Sequence, residues 1–511
     1  MLAMNTATTN TVNFDSYLPE GESLFDFQQV GVAYSLFQTR DGKGVMIADE
    51  QGLGKTRQAI VAARVHASIH RVPLKALIVC KSALRGNWER ELNICAPDLD
   101  TQVLGGTRPY ELTNSVAIIS FNLLRTWASS LVQEGFNTLI IDESHCVKDP
   151  KTQQTKAALK VAEDVRSRTG LVLLLTGTPI LNRPVELVSQ LQLMGRLRDI
   201  APKPRRGDTD RDWEYSFKFT FCGPSHNGHG YEFKGASNLD LLNARARGNF
   251  MVRRLRDEVL DLSETHRQSW TLSLNGDLAD YWLLEQTFQA KDPRSYWIEL
   301  YGALRQSVAL CKINATVEWV KDFVEENEGK KLVVWAWHVP TQVEVARALN
   351  EAGIETVLLR DGAGDIKKLE AIKDRFNTGS AQVIVCSLRA HAEGHTLVGD
   401  GLNVTDSLFV EQPWHPGNVR QAEDRINRIG RQAAAVFAHT LLVPGTVDDD
   451  VAELIAEKWE VSTKAIDGTQ VAALTSDIQR AALLKLQARM LAKYPDRKFP
   501  PLTGEEEVVI D

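Results

Sequence analysis

The organisation of this chain follows from one stretch near its start, Met46-Ile47-Ala48-Asp49-Glu50-Gln51-Gly52-Leu53-Gly54-Lys55-Thr56. The apolar run from Val45 to Ala48 predicts a buried strand, and Thr56 to His66 predicts a helix with apolar positions at helical spacing. A strand, a glycine-containing turn and a helix in this order are the context in which phosphate-binding loops occur. The backbone N–H groups of the turn and the positive end of the helix dipole both attract the anion.

Within this loop the sequence predicts which residues contact a nucleotide. We expect the backbone of Gly52, Leu53 and Gly54 to close around the phosphates. We expect Lys55 to reach the β- and γ-phosphates and the Thr56 hydroxyl to bind Mg²⁺. The full pattern, G-x-x-x-x-G-K-[ST], begins with a glycine, and this chain has an acidic residue there. Taken alone, the stretch therefore also fits a plain turn before an ordinary helix.

A second stretch, Thr138-Leu139-Ile140-Ile141-Asp142-Glu143-Ser144-His145, favours the nucleotide-binding interpretation. An apolar strand ends here in two adjacent carboxylates. Asp142 is suited to hold Mg²⁺, and Glu143 is suited to orient and deprotonate an attacking water. Taken alone, this stretch also fits a strand that ends in a solvated acidic turn. The two stretches together, each at a strand end and in the expected order, indicate a nucleoside triphosphatase core.

Length and composition fit two to four soluble globular domains in 511 residues, with 43% hydrophobic and 24% charged residues. The sequence contains no run of about 18 apolar residues, so no membrane span is predicted. The polar start of the chain does not resemble a signal peptide. The six cysteines are scattered without a C-x-x-C pair, which favours reduced thiols. The net charge of −7 argues against a uniformly basic nucleic-acid binder, but it is compatible with a local basic groove.

Apolar strands alternate with helices through both halves of the chain. The predicted strands are 45–48, 75–80, 116–121, 138–142 and 171–175, followed by 331–337, 356–359, 383–386, 407–410 and 436–443. Such a pattern indicates parallel sheets covered on both faces, with ligands at the carboxyl ends of the strands. Lys55, Asp142 and Thr176 all fall at such ends. We therefore predict an α/β protein with two parallel-sheet lobes and a nucleotide in the cleft between them.

The second lobe has no phosphate loop of its own and is expected to supply cations to this cleft. The candidate stretch is 421–431, in which Arg425 and Arg428 are three residues apart and are predicted to share one helix face. Planar guanidinium groups suit the charge that develops on a γ-phosphate. In isolation, the same stretch fits a charged surface helix, and the two-lobe context decides against that interpretation.

Three further features are less decisive. An amide such as that of Gln28 suits an adenine edge, but by its chemistry alone an exposed glutamine on an amphipathic helix fits better. Five arginines crowd into one segment predicted to be helical, where they fit phosphate contacts and a solvated helix face equally well: Arg245, Arg247, Arg253, Arg254 and Arg256. Residues 477–494 predict an amphipathic helix that packs on a lobe.

Together these stretches resemble the motifs of the SNF2-type superfamily 2 ATPases. The family's motif I lacks the first loop glycine, as 49–56 does here. The other matches are 142–145 with motif II, 175–184 with motif III and the residues after it, 421–431 with motif VI, and 250–256 with the segment before the second lobe. Gln28 aligns with the adenine-reading glutamine of the family, and Gln421, Arg425 and Arg428 fall within motif VI. The resemblance covers about residues 22–460, and 221–239 resembles the annealing-helicase branch, as does His145.

The resemblance implies two RecA-like lobes with SNF2-type helical insertions between them. We predict a flexible tail at 1–21, an ATP-binding lobe at 22–198, a helical or irregular insertion and linker at 199–300, a second lobe at 301–465, and a C-terminal helix with an acidic tail at 466–511. The chain is similar to minimal bacterial or bacteriophage members, which implies a cytoplasmic location at DNA.

For a protein of this family the expected partner is DNA, duplex or branched, bound through its backbone and without sequence preference. The candidate contacts are Ser82 and Thr178, on phosphate-facing loops, and Arg183. Motif V has two possible matches, one that starts at Gly394 and a later one at 401–405. The distance from the preceding strand end favours Gly394. The sequence identifies no protein partner and no membrane contact.

The resemblance thus implies an ATP hydrolase that uses ATP and Mg²⁺ to translocate on DNA and to anneal or remodel it. A strand-separating DNA or RNA helicase is the alternative, although the family lacks an obvious separating wedge. A catalytically silent DNA-binding scaffold is a third hypothesis. It fits less well, because a scaffold has no chemical need for Lys55, Asp142, Glu143, Arg425 and Arg428.

Overall fold

The structure is a computed structural model in which the chain divides into two compact units, residues 1–260 and 261–511. It describes residues 13–177, 179, 183–226, 228, 230–233, 235–259, 264–274, 278–359, 366–388, 397–413, 416–427, 435–455 and 474–502. Among these residues, no helix is long and apolar enough to cross a membrane.

The first unit is built on a parallel sheet of seven strands. They are β1 (Val45–Ile47), β2 (Ala76–Cys80), β3 (Thr101–Val103), β4 (Val116–Ser120), β5 (Thr138–Asp142), β6 (Leu171–Leu175) and, after the small antiparallel hairpin of β7 (Ser225–His226) and β8 (Tyr231–Glu232), β9 (Met251–Val252). Across the sheet the order is β3-β4-β2-β5-β6-β1-β9. Side chains alternate between two apolar cores, with Ile78 in one and Val79 in the other, so both faces of the sheet are covered.

Helices cover the two faces of this sheet. They are α1 (Asp26–Gln38), α2 (Lys55–His70), α3 (Arg85–Cys95), α4 (Phe121–Gln133), α5 (Gln153–Ser167), α6 (Leu187–Met194), α7 (Leu197–Ile200), α8 (Asp210–Phe221), α9 (Leu239–Asn249) and α10 (Arg256–Val259). Local sequence fixes several of their starts. The Thr152 side chain accepts a bond from the Thr155 amide at the start of α5, and Thr209 with Asp212 forms a capping box at the start of α8.

The second unit has a six-stranded parallel sheet with the order β10-β15-β14-β11-β13-β12. The strands are β10 (Glu264–Thr271), β11 (Leu332–Ala336), β12 (Thr356–Leu359), β13 (Val383–Ser387), β14 (Asp406–Phe409) and β15 (Ala435–Leu442). Its helices are α11 (Ala279–Thr287), α12 (Tyr296–Cys311), α13 (Ile313–Glu326), α14 (Val339–Glu351), α15 (Ile366–Asn377), α16 (Pro416–Glu423) and α17 (Leu474–Lys493). Residues 447–455 are also helical.

The predicted α/β class with two parallel sheets is confirmed, and every predicted strand is present to within a residue at either end. The predicted C-terminal helix is α17, and its Leu486 and Met490 are buried in the apolar core of the second unit. The region 199–300, predicted as an insertion and linker, contributes β9 to the first sheet and β10 to the second.

The single helix predicted for the arginine-rich segment was wrong. Helix α9 ends at Asn249, and the chain then adds β9 to the edge of the first sheet beside β1. Arg253 and Arg254 follow β9 in an irregular segment, before the short helix α10. The pairing with β1 explains the difference, since an edge position beside a buried strand satisfies the backbone of Met251 and Val252 through tertiary contacts that helix propensity does not anticipate.

Candidate functional site

Three neighbouring strands of the first sheet, β5, β6 and β1, bring the predicted nucleotide-binding residues to one edge. Because the strands are parallel, their carboxyl ends meet there. The loop 48–54 follows β1. Asp142 is the last residue of β5 and Glu143 comes directly after it, and Thr176 follows β6. The phosphate loop and the acidic end of β5 are therefore neighbours in the fold.

The loop after β1 depends on its two glycines. Gly52 and Gly54 have φ angles of 83° and 68°, in the left-handed region that side chains rarely adopt. At Gly54 a Cβ atom would lie 2.3 Å from Nε2 of Gln28, so a side chain there would also collide with α1. Helix α2 starts directly after this turn, at Lys55. A tight turn before a 16-residue helix is the arrangement that cradles a phosphate.

Lys55 reaches back across the loop that it follows. Its Nζ donates to the carbonyl oxygens of Asp49, at 2.8 Å, and of Glu50, at 3.1 Å. Burial lowers the pKa of the Lys55 ammonium below its ordinary value, although the carboxylates of Glu143, Asp49 and Asp142 act in the opposite direction. The side chain is held where an anion bound by the loop would meet its charge.

Asp142 and Glu143 form the acidic end of β5. The Asp142 carboxyl accepts the indole N–H of Trp88 at Oδ2, at 2.9 Å, and the Glu143 amide at Oδ1, at 3.0 Å. Burial and the neighbouring charge of Glu143 raise the pKa of Asp142 to about 7. Glu143 has a left-handed backbone, with φ 51° and ψ 54°, a conformation that is uncommon outside functional sites and turns. Two crowded carboxylates of this kind suit a divalent cation.

His145 connects the ends of β5 and β6. Its Nδ1 lies 3.3 Å from Oε2 of Glu143 and 3.3 Å from Oγ1 of Thr176, and its side chain is buried. The imidazole therefore lies beside the side chain of Glu143, whose Oε2 is buried without a hydrogen-bond partner among the described residues. The sequence placed His145 in motif II and Thr176 at a strand end, but gave no signal that the two side chains meet.

The acidic residue that departs from the phosphate-loop pattern has a structural role. Asp49 is fully buried, and its Oδ1 accepts bonds from the amide and Nε of Arg254 at 3.1 and 2.9 Å. Its Oδ2 accepts from Gln58 Nε2 at 3.0 Å and from Arg254 Nη2. Arg253 donates through Nη1 to the carbonyl oxygens of Ala48 and Gly177, at 2.8 and 3.0 Å. These two arginines therefore tie the segment after β9 to the loop and to the end of β6.

The Asp49 cluster also explains a glycine inside helix α1. A Cβ atom on Gly31 would lie 2.0 Å from Oε1 of Gln58 and 2.6 Å from Nη2 of Arg254. Those two atoms are 2.9 Å apart in a hydrogen bond. The helix can approach the cluster only because this residue has no side chain.

Gln28 is buried on α1, and its amide is bonded to the loop. Its Nε2 donates to the carbonyl of Leu53 at 3.1 Å, and its Oε1 accepts the Phe25 amide at 3.0 Å. The exposed-glutamine interpretation was therefore wrong, since this side chain is 2% exposed. Contact with an adenine stays a prediction.

The predicted DNA contacts are placed only in part. Ser82 is exposed in a short helical turn after β2, and Arg183 is half-buried just before the turn that starts at Pro184. Thr178, Gly394 and Arg428 lie outside the described residues.

The second motif V candidate, 401–405, is described, and it leads into the amino end of β14. That end lies at the edge of the sheet opposite to the carboxyl ends of the strands, where ligands of such sheets bind. Motif V contacts with DNA stay a prediction.

In the second unit, motif VI begins on a helix and continues in a turn. Gln421 lies on α16, which ends at Glu423, and Arg425 follows in the turn, with its Nε 3.2 Å from the carbonyl oxygen of Gln421. The prediction of a helix through Arg425 was therefore wrong. The buried side chains of Ala422 and Ile426 turn the chain into the core, and Arg425 is 2% exposed.

The fold and this loop define a nucleotide-binding protein of the phosphate-loop class. A family model described as the SNF2-related domain matches residues 27–281. SWI/SNF-related matrix-associated actin-dependent regulator of chromatin subfamily A-like protein 1 of Bos taurus is 30% identical over 454 residues, which cover 87% of this chain and 45% of that protein. DNA annealing helicase and endonuclease ZRANB3 of Bos taurus is 28% identical over 467 residues, covering 87% of this chain and 41% of that protein.

Among solved structures, the Sulfolobus solfataricus SWI2/SNF2 ATPase core in complex with dsDNA aligns with a TM-score of 0.41 and 21% identity, and covers 86% of this chain and 92% of that chain. The chain belongs to the SNF2-related family, which implies ATP as its nucleotide. It spans less than half the length of the two Bos taurus relatives.

Proposed function

We propose that this chain is an ATP hydrolase that moves along duplex or branched DNA and anneals or remodels it. One observation carries the proposal: the loop of Lys55 and the carboxylates of Asp142 and Glu143 meet at one edge of the first sheet. Relatives named as a DNA annealing helicase support the choice of DNA as the substrate and annealing as the outcome.

Each residue at this edge has a proposed part in ATP hydrolysis. The loop amides of Gly52, Leu53 and Gly54 and the ammonium of Lys55 bind the phosphates. The Thr56 hydroxyl and the Asp142 carboxylate hold Mg²⁺, which would neutralise phosphate charge when bound. Glu143, which lies beside His145, accepts the proton of the attacking water.

Other residues are proposed to complete the machinery. Gln28 reads the adenine, and Gln421, Arg425 and Arg428 of the second unit supply the remaining polar and cationic groups. Ser82, Thr178, Arg183 and Gly394 contact the DNA backbone. The protein acts in the cell at DNA.

The test is ATP turnover with no nucleic acid, with single-stranded DNA, duplex DNA, forked DNA and RNA, beside a Glu143→Gln variant. Stimulation by duplex or forked DNA, absent in the variant, supports the proposal. Stimulation by single-stranded DNA or RNA alone would instead indicate a strand-separating helicase. Turnover under none of these conditions would favour a DNA-binding scaffold.

Binding itself tests the kind of contact. If the protein contacts the DNA backbone through cations, raising the salt from 50 to 200 mM weakens duplex binding by at least about tenfold, whatever the sequence of the duplex. Fluorescence anisotropy with two unrelated duplexes measures both effects. An affinity that is unchanged at 200 mM salt would contradict backbone binding.

A further inference from the structure

A buried tryptophan on α3 contacts the acidic end of β5. Trp88 is fully buried in the apolar core on one face of the first sheet, and its indole N–H donates to Oδ2 of Asp142 at 2.9 Å. The Glu143 amide occupies the other oxygen, Oδ1, at 3.0 Å. With one fixed donor on each oxygen, the carboxylate of Asp142 cannot rotate about its terminal bond without losing both bonds.

Apolar packing does not by itself require this contact. Other buried tryptophans of the chain have quite different surroundings for their N–H groups. The indole N–H of Trp127 donates to the carbonyl of Gly106 at 3.0 Å, and that of Trp335 has no hydrogen-bond partner among the described residues. The ring of Trp88 is oriented so that its single polar atom meets Asp142. An indole can only donate, so this contact favours the carboxylate as an acceptor with a fixed orientation.

We propose that Trp88 is a positioning residue that holds the carboxylate of Asp142 in the orientation that binds a divalent cation. The inference rests on the proposed function, in which Asp142 holds Mg²⁺. Partners that orient a ligand in this way typically contribute about 10–100-fold to metal affinity. Trp88 does not touch the metal or the nucleotide in this assignment, and it acts only through Asp142.

The test uses the whole chain with Trp88→Phe, which keeps an aromatic ring in the core and removes the N–H. Mn²⁺ binding is followed by electron paramagnetic resonance in the presence of ADP, and ADP binding is measured separately without metal. We expect Mn²⁺ to bind at least about tenfold more weakly and ADP alone to bind as in the wild type. Excess Mg²⁺ should restore most of the ATP turnover.

The matched control is Trp127→Phe in the same unit. This change also removes a buried indole and its hydrogen bond, but it has no contact with Asp142. It should lower thermal stability by a similar amount and leave Mn²⁺ affinity unchanged. Equal Mn²⁺ affinities in the wild type and in Trp88→Phe, or equal losses in both variants, would overturn the proposal.

Two outcomes separate this inference from the proposed function. If the wild type binds neither ADP nor Mn²⁺ with ADP, the proposed function fails. If the wild type binds both and Trp88→Phe binds Mn²⁺ equally well, only the positioning role fails. Should Trp88→Phe not fold, benzothienylalanine placed at position 88 keeps the shape of the indole without its N–H, and the same two predictions apply to it.

Discussion

The two sheets of this protein differ at the turn that connects a parallel strand to the helix after it. In the first sheet, β1 leads into α2 through a turn with two left-handed glycines and a lysine. In the second sheet, β11 leads into α14 through a turn whose amides are already bonded. Oε2 of Glu411 accepts the amides of Trp337 and His338 at 2.9 and 3.0 Å, and His338 Nδ1 bonds Oε1.

A helix N-terminus after a parallel strand attracts an anion in either sheet. The second unit provides that anion itself, through Glu411, two residues after β14, whereas the first provides glycines and Lys55. A shared fold therefore does not give a shared function, because the chemistry depends on what fills the turn. We expect the nucleotide to bind at the first turn only.

Turnover gives the largest expected effect of this comparison. Glu143→Gln removes the proposed base and should lower DNA-stimulated ATP turnover by about 10²–10⁴-fold. Glu411→Gln changes a buried carboxylate in the second turn and should lower turnover by less than about threefold, at a temperature where both variants are folded. Steady-state phosphate release measures both. Equal losses would break the distinction between the two turns.

The next effect concerns the buried cluster behind the first turn. Asp49→Asn leaves Arg254 enclosed without its counter-charge, which should cost about 3–5 kcal/mol of stability in the first unit. The control is Glu344→Gln in the second unit, whose partner Arg347 is 52% exposed, and it should cost less than about 1 kcal/mol. Urea unfolding followed by circular dichroism compares them. A loss below about 1 kcal/mol for Asp49→Asn would refute a structural role for this pair.

Two glycines in helices should respond with opposite signs to the same change. A Cβ at Gly31 collides with Gln58 and Arg254, so Gly31→Ala should destabilise by about 1–3 kcal/mol. A Cβ at Gly302 in α12 would meet no atom of the described residues within 4 Å, and Gly302→Ala should stabilise by about 0.5–1 kcal/mol through helix propensity. Thermal unfolding of both variants tests the sign, and a stabilising Gly31→Ala would contradict the close approach of α1.

The last comparison is a pair of opposite pH dependences. Burial raises the pKa of Glu411, but the bonds from His338 and the charge of Arg305 outweigh it, so the pKa lies below its ordinary value of 4.5. Glu411 therefore contributes stability that is present above about pH 4.5 and is lost as the pH falls through its folded-state pKa. A group with a raised pKa behaves oppositely, and Asp142 costs stability as the pH rises from 3.8 to about 7.

Two variants, measured in metal-free buffer, separate the pH dependence due to Glu411 from that due to Asp142. Glu411→Gln should lower stability by about 1–3 kcal/mol at pH 7, with a smaller difference near pH 4. Asp142→Asn should instead be more stable than the wild type at pH 8, and this gain should be smaller at pH 5. Urea unfolding at these four pH values shows the signs. A destabilising Asp142→Asn at pH 8 would mean that its hydrogen bonds outweigh the cost of its charge.

The sequence predicted the sheets well, because long apolar strands between helices leave few alternatives. It did not predict β10, whose exposed polar residues carry no periodic signal. Nor did it predict the short strands β3 and β9, which have three and two residues. At the site it identified Lys55, Asp142 and Glu143 from local patterns. It could not identify the partners of Asp49, since Arg254 is 205 residues away along the chain. Contacts of that range depend on the folded sheet and leave no local pattern.

That same separation sets an order for biosynthesis. When residue 49 leaves the ribosome, its carboxylate has no arginine to meet, and the partner emerges only 205 residues later. The nascent first unit must therefore keep the start of its glycine turn open to water, or bound to a chaperone, until the segment after β9 has been translated. A fragment that stops before Arg254 should for this reason be recovered as aggregate, and one that extends through α10 should be recovered as soluble protein.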